Sequence, residues 1–295
     1  LAFLRNGDAS GVVTGDGTHS NHFWIQGFGT TAEQDKRDGI DGFEANGFGI
    51  AAGLDSEDII EDGVLGLSFA YGVADVDSDA ANNAQTDVDS YQIGVYGSRD
   101  LQDDLYVDGF LSVGFNEYDF ERNVAGNTAK GDTDGLQVSA RGAVGRNVQM
   151  SNNFSLIPEA SLQYTYLDID GYTETGAGGA NLTVNPEENN ALLLGLGTTA
   201  AWDFEHASGS VVRAALRGRY TYDVIGDEFE TSSSFGAGGT SFVTESADVA
   251  QHAFALGGGL KLLDASGVEV GIDYDATLKE DFTAHTGKLN LRIPF

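Results

Sequence analysis

The chain has 295 residues, of which 41% are hydrophobic, and its formal net charge is −31. Such an acidic chain is excluded from nucleic-acid binding, because a phosphate backbone requires a basic surface. The absence of cysteine excludes a disulfide framework and a thiolate metal site. No apolar run reaches the ~18 residues of a membrane-spanning helix, whereas a barrel strand needs only about 9–11 residues, half of them apolar.

The acidic residues have two interpretations. We interpret them as a solvated exterior, and divalent-cation binding by loop carboxylates is the alternative. The sequence shows no cluster of metal ligands, no phosphate-binding glycine loop and no Ser/His/Asp arrangement. Pairs such as Gly47-x-Gly49 are strand glycines rather than a nucleotide fingerprint. We therefore predict no cofactor and no metal site.

The first 21 residues differ from the rest of the chain. Residues 1–5 are typical of the end of a short helix, and Asn6-Gly7 suits its termination. A Gly-, Ser- and Thr-containing passage follows, and no signal peptide is recognisable. We therefore divide the chain into residues 1–21, a helix end with its linker, and residues 22–295, a β domain. We expect the sequence to be a mature or trimmed fragment.

From His22 onward, apolar and polar residues alternate with the period of two that is typical of strands. Forty-one glycines against three prolines suit a sheet in which backbones or an enclosed segment approach closely. The alternation predicts twelve strands. They cover residues 23–33, 43–54, 64–74, 90–98, 105–115, 136–144, 154–166, 192–202, 212–222, 254–262, 268–278 and 287–295.

The connections between these strands alternate in length. The short ones are 55–62, 99–104, 146–153, 203–209 and 264–267. The long ones are 76–87, 117–135, 168–190 and 224–250. Long connections at one end and short turns at the other are typical of a bacterial outer-membrane barrel. The sequence therefore predicts an all-β fold, a transmembrane antiparallel barrel whose N-terminal helix end lies in the lumen.

The faces opposite the apolar residues predict a charged, wet lumen. Seven of the fifteen basic residues fall on these faces, together with acids that could pair with them. The predicted lumen-lining residues are Arg141, Arg213, Arg217, Arg219, Lys261, Lys288, Arg292, Asp108, Glu159, Glu269 and Asp273, with Asp275 beside them.

Other inward positions are small. We predict that they form a smooth wall against which a helix of ~10–12 Å diameter packs. The wall residues are Gly47, Gly49, Gly53, Gly66, Gly195 and Gly197.

The last strand carries the clearest alternation, and its pattern resembles the closing strand of bacterial outer-membrane barrels. Its apolar face holds Leu289, Leu291, Ile293 and Phe295, which we predict to direct membrane assembly. Pro294 departs from the pattern, because proline cannot donate a hydrogen bond to a neighbouring strand.

Several motifs, taken in order, resemble the translocator β-domain of monomeric autotransporters, the type V secretion family. They lie at residues 4–7, 24–29, 34–35, 39–43, 47–55, 87–92, 105–109 and 291–295. The resemblance implies an outer-membrane barrel that supports export of its own N-terminal passenger and retains a helix in the pore. It also implies contact with outer-membrane lipid, the barrel-assembly machinery and periplasmic chaperones, and no enzymatic activity of the barrel.

Two other functions stay open at this point. A small diffusion pore requires no motif. An omptin-like outer-membrane protease requires aspartates and a histidine at the outer rim. The chain offers Asp87 with Asp89 and Asp168 with Asp170, but no histidine stands in an Asp-x-His pairing.

Cleavage of the passenger inside the barrel is a further possibility. Some members of the family use an asparagine whose side-chain amide attacks its own peptide bond with help from lumen acids. Asn6 is the candidate here, with Asp108, Glu159 or Asp273 as the assisting acid. The alternative is that Asn6 terminates a helix and that these acids form ordinary ion pairs.

Overall fold

The structure of the chain is a computed structural model that describes residues 20–226, 230–238, 240–247 and 249–295. The helix end predicted near the N terminus, with Asn6, lies outside these ranges. Two 3-10 turns are present, at Gln102–Asp104 and Gly178–Ala180. Among the described residues, no helix is long and apolar enough to cross a membrane.

Strands account for most of the described chain, and all twelve predicted strands are present. In chain order the strands are β1 (Asn21–Gln34), β2 (Phe43–Ser56), β3 (Gly63–Ser78), β4 (Gln85–Asp100), β5 (Leu105–Val124), β6 (Asn127–Arg146), β7 (Val148–Ser151), β8 (Phe154–Ile169), β9 (Tyr172–Thr173), β10 (Leu182–Val184), β11 (Glu187–Glu205), β12 (Val211–Asp223), β13 (Glu230–Phe235), β14 (Phe242–Glu245), β15 (His252–Leu263), β16 (Glu269–Lys279) and β17 (Phe282–Pro294).

Twelve of these strands form one closed antiparallel ring. Its order is β1, β2, β3, β4, β5, β6, β8, β11, β12, β15, β16 and β17, and β17 pairs back onto β1. We call the β1–β17 junction the seam. Pro294 pairs with His22 at its end, where a missing donor disturbs the ladder least. The predicted all-β barrel of about twelve antiparallel strands is confirmed.

The outer face of the ring carries exposed apolar side chains. Leu67 and Leu256 are each 64% exposed. On β5 the apolar positions run on alternate residues from Leu105 to Phe115. We call this surface the apolar band. Exposing so much apolar area to water is unfavourable at about 25 cal/mol per Å², so the band suits a hydrocarbon environment.

One predicted loop is wrong. Residues 117–135 were expected to form a long connection, but β5 and β6 continue through them as a hairpin. The turn is Ala125-Gly126, whose φ angles of 50° and 80° fit the two-residue turn that joins twisted strands. The period of two continues beyond the apolar band, with acids replacing the apolar residues on the outward face.

Two other long connections contain strands. β9, β10, β13 and β14 form a second sheet whose lateral order matches that of β8, β11, β12 and β15, the strands they extend. We call this second sheet the upper wall. Arg122 on β5 holds it through two hydrogen bonds of 2.7 Å to the Glu174 carboxylate. Burial and the Glu174 charge raise the pKa of Tyr172 in this wall to about 12.

Inward aromatic rings are accommodated by glycines on neighbouring strands. The Phe28 ring lies over Gly49, and the Tyr96 ring lies over Gly66. Trp24 donates from Nε1 to the Tyr96 hydroxyl at 2.5 Å. A side chain at either glycine would overlap its ring, so pairing a large residue with a glycine allows the barrel interior to close-pack.

Acids face one another across the outward surface beyond the apolar band. Asp75 pairs with Asp87, Asp87 with Asp119, and Asp119 with Asp132. Like charges directly opposite each other in a sheet are destabilising. Burial, followed by the repulsion of Asp75, raises the pKa of Asp87.

A methyl group added at Gly66 should destabilise the barrel. Gly66→Ala would overlap the Tyr96 ring, and overpacking of this kind costs about 1–3 kcal/mol. Gly109→Ala is the matched control, because nothing lies within 4 Å of its added carbon. Thermal unfolding in detergent can be monitored by the change in gel mobility between the folded and the heated barrel. The unfolding midpoint temperature should be lower for Gly66→Ala only. Equal midpoints for the two variants would contradict this packing.

Removing the charge of Asp87 should stabilise the barrel above the pKa of this group. A raised folded-state pKa means that the folded protein binds the proton more tightly, so stability falls as pH rises from the usual value of 3.8 through the raised one. Asp87→Asn should therefore unfold at a higher temperature than the unmodified chain at pH 7, and at a similar temperature below pH 3.8. Asp41→Asn is the control, because Asp41 lies 2.6 Å from the Lys36 ammonium and its removal relieves no repulsion between paired acids. An Asp87→Asn midpoint that follows the control at both pH values would refute the repulsion.

Candidate functional site: the barrel interior

The structure places all the predicted lumen-lining side chains on inward strand positions, where they form several ionic clusters. One cluster joins β12, β16 and β17. Arg217 lies with Nη1 2.7 Å from Asp273 and Nη2 3.3 Å from Asp275. The Lys288 ammonium is 3.4 Å from Asp275, and the Asn290 amide donates to Asp273 at 3.3 Å. These side chains are nearly buried, so mutual pairing offsets the cost of removing them from water.

Two glycines on β15 make this cluster possible. β15 lies between β12 and β16, and Gly257 and Gly259 pair with Asp275 and Asp273. A Cβ on either glycine would overlap the carboxylate beside it. The missing side chains leave a path over β15, along which Arg217 reaches the acids of β16.

Glu159 on β8 organises a second cluster. Its Oε1 lies 2.7 Å from Nη2 of Arg141 and 3.3 Å from Nη2 of Arg219. The Tyr106 hydroxyl donates to Oε2 at 3.2 Å. Arg219 extends from β12 across β11, where Gly197 pairs with both Glu159 and Arg219. In both clusters, a glycine on the intervening strand therefore leaves room for an arginine side chain to cross it.

The six glycines predicted as a helix-packing wall lie against side chains of the barrel itself. The neighbours are Thr30 and Ala74 for Gly47, Phe28 for Gly49, Trp24 for Gly53, Tyr96 for Gly66, Ser161 for Gly195 and Arg219 for Gly197. Rings and long side chains therefore cover most of these positions. Packing of a helix against the resulting surface stays a prediction.

Asp55 on β2 forms a third cluster, which the sequence interpretation missed. Its side chain is 1% exposed and lies 2.6 Å from Nη2 of Arg292 and 3.2 Å from Nδ1 of His22. The Tyr96 hydroxyl donates to its other oxygen at 2.7 Å. Asp55 continues the inward positions of β2, so its parity in the sequence could have identified it.

The remaining lumen cations are also paired. Arg213 binds Asp203 through two contacts of 2.6 and 2.7 Å. The Lys261 ammonium is 3.4 Å from Glu269, and Asp108 is 7% exposed on the inward face of β5. Each of the predicted inward cations thus has a carboxylate partner, and the interior as described is polar and close to electrically balanced.

The aspartates considered for a protease site lie elsewhere. Asp87 and Asp89 are on the outward face of β4, beyond the apolar band, and Asp89 accepts a hydrogen bond of 2.5 Å from the Tyr71 hydroxyl. Asp168 is on the corresponding face of β8. These acids face the exterior of the ring rather than a cleft. Asn6, the cleavage candidate, lies outside the described residues.

Comparison with known proteins gives this architecture a family. The model of the autotransporter β-domain matches residues 23–275. Outer membrane protein B of Rickettsia conorii is 25% identical over 299 aligned residues, which cover 96% of this chain and 18% of that protein. The chain therefore spans less than a fifth of the length of this relative.

Two solved structures share the fold. The translocator domain of NalP from Neisseria meningitidis has a TM-score of 0.73 at 17% identity, over 96% of this chain and 90% of that one. The transport unit of AIDA-I from Escherichia coli has a TM-score of 0.65 at 15% identity, over 96% and 92% of the two chains. The predicted family is confirmed: the chain belongs to the autotransporter β-domain family and is a translocator domain of the bacterial outer membrane.

Proposed function

We propose that this barrel exports a polypeptide attached ahead of residue 1 to the cell surface. Passenger export is the role of the family, and the chain spans only 18% of the Rickettsia conorii relative. The observation that carries the proposal is the closed twelve-strand ring, apolar outside and ion-paired inside. Such a ring crosses a bilayer with every strand hydrogen-bonded and keeps a wet interior.

The balanced interior suits passage of a polypeptide. Arg217 and Arg219 are both held by acids of the wall, so neither presents an uncompensated charge to a passing chain. A strongly one-signed lumen would retain segments of opposite charge. Ion pairing among the inward side chains therefore favours a lumen that binds the passing polypeptide weakly. We propose no catalytic role for these side chains.

Residues 1–21 are, in this proposal, the link between the barrel and its passenger. β1 starts at Asn21, beside the end of β17, at the end of the barrel that carries the short turns. A chain entering from that end must pass along the lumen to reach the end with the long connections. A twelve-strand barrel lies between filled eight-strand barrels and open porins in bore, which suits one enclosed segment.

The outward face of β17 is proposed as the contact for the barrel-assembly machinery. Leu289, Ile293 and Phe295 are 63%, 38% and 58% exposed, and Leu291 lies on the same face. Such a strand must be shielded from water before insertion, which is the task we assign to periplasmic chaperones. Outer-membrane lipid then replaces them as the partner of this face.

Fusion of a tagged polypeptide ahead of residue 1 tests export. We expect protease added to intact cells to digest the tag, because the barrel delivers it to the surface. The control fusion carries Leu289→Arg, which places a charge on the lipid-facing side of β17 and impairs insertion. A tag that stays protected while the barrel itself is inserted and heat-modifiable would refute the export function.

Deletion of residues 1–20 tests the link. In planar bilayers we expect low conductance for the whole chain and a larger conductance after deletion, since one segment leaves the lumen. Deletion should leave the folded barrel band on gels unchanged, because the ring starts at Asn21. A large conductance with residues 1–20 present would instead favour a diffusion pore.

A further inference from the structure

The alternation of apolar and polar residues does not by itself fix the register of β1 and β17 at the seam. A slip of one residue between β1 and β17 would turn every side chain to the wrong face. A slip of two residues would keep every side chain on its native face. The native register, in which Ala32 pairs with Ala284 and Trp24 with Arg292, therefore requires another determinant.

Asp55 provides a contact that crosses the seam. It lies on β2, one strand beyond β1, and its carboxylate meets Arg292 of β17 at 2.6 Å. Because the Asp55 side chain is 1% exposed, water does not replace Arg292 readily. A charge-assisted hydrogen bond of this length also constrains the position of the donor closely.

The carboxylate is held in place by strands that precede β17 in the chain. Tyr96 on β4 donates to Asp55, and Trp24 on β1 donates to Tyr96. The Trp24 ring lies over Gly53, and the Tyr96 ring over Gly66, which limits the movement of both rings. The N-terminal strands β1 to β4 thus build the receiving site without any residue of β17.

We propose that Asp55 is a positioning residue that selects the register of barrel closure by binding Arg292. A slip of two residues moves Arg292 by about 6.8 Å along the strand, at ~3.4 Å per residue, and the ion pair is lost. The slipped barrel keeps its apolar outer face but leaves a buried carboxylate without its cation. Asp55 therefore distinguishes the native register from a register slipped by two residues, which expose the same apolar band.

Paired cysteines can report the register, because the chain contains no cysteine. Ala32→Cys with Ala284→Cys reports the native register, since residues directly opposite have Cα atoms about 4.5–5.5 Å apart, within disulfide range. Ala32→Cys with Phe282→Cys or with Thr286→Cys reports slips in the two directions. In the native register these diagonal pairs are about 7–8 Å apart and do not bridge.

In the unmodified background, oxidation should cross-link only the native reporter in the folded barrel. Asp55→Asn should lower the native cross-link and allow a slipped one, and Arg292→Gln should do the same. Arg292→Lys retains a cation and should restore the native pattern. The matched control is Asp203→Asn, which breaks another inward Arg–Asp ion pair of similar length, between β11 and β12, away from the seam.

The proposal is overturned if Asp55→Asn and Arg292→Gln give the native cross-link alone, or if Asp203→Asn produces slipped cross-links as readily. If Asp55→Asn yields no folded barrel, Arg292→Gln supplies the test, since it leaves Tyr96 and His22 beside Asp55. If both variants lose the barrel while Asp203→Asn keeps it, Asp55 is required for stability in general and register selection is refuted.

Discussion

Closure of the ring is the constraint on which the rest of the structure depends. In hydrocarbon, a strand edge leaves unpaired N–H and C=O groups that each cost several kcal/mol, so the sheet must return onto itself. The seam between β1 and β17 performs that closure from His22 to Gln34, nearly the whole length of β1. Once the ring is closed, every side chain of its twelve strands faces either the exterior or the lumen.

The second constraint is the limited space inside. Twelve strands enclose a narrow bore, yet the inward positions include Trp24, Tyr96, Arg217 and Arg219. The structure resolves this at several crossings by placing glycine on the strand beneath the large side chain. Glycines of this kind make room for aromatic rings near β1 to β4 and for ion pairs near β12 to β16. Closing a barrel around large inward residues thus accounts for glycines such as Gly49, Gly66, Gly257 and Gly259.

The sequence predicted the strands and their faces because both depend on local alternation. It did not predict that residues 117–135 form a hairpin, since acids on the outward face of a strand look like a solvated loop. It did not reveal which side chains lie over Gly49 and Gly66, because those rings come from other strands, at sequence distances that no local pattern reveals. Asp55 was missed for the same reason: its partners lie on β1, β4 and β17, and only the register brings them together.

The distribution of charge follows from the difference between the outward and the inward face of the ring. Acids such as Asp75, Asp119 and Asp132 lie on the outward face beyond the apolar band, where water solvates them even though they oppose one another. Inside, where solvation is weaker, acids such as Glu159 are matched by cations. Part of the excess negative charge is therefore carried by outward positions beyond the lipid, and the lumen, as far as the structure describes it, is left nearly neutral. A chain with this net charge can keep a nearly neutral lumen, because its inward acids are paired with cations. The repulsion between unpaired acids is confined to the solvated outer surface.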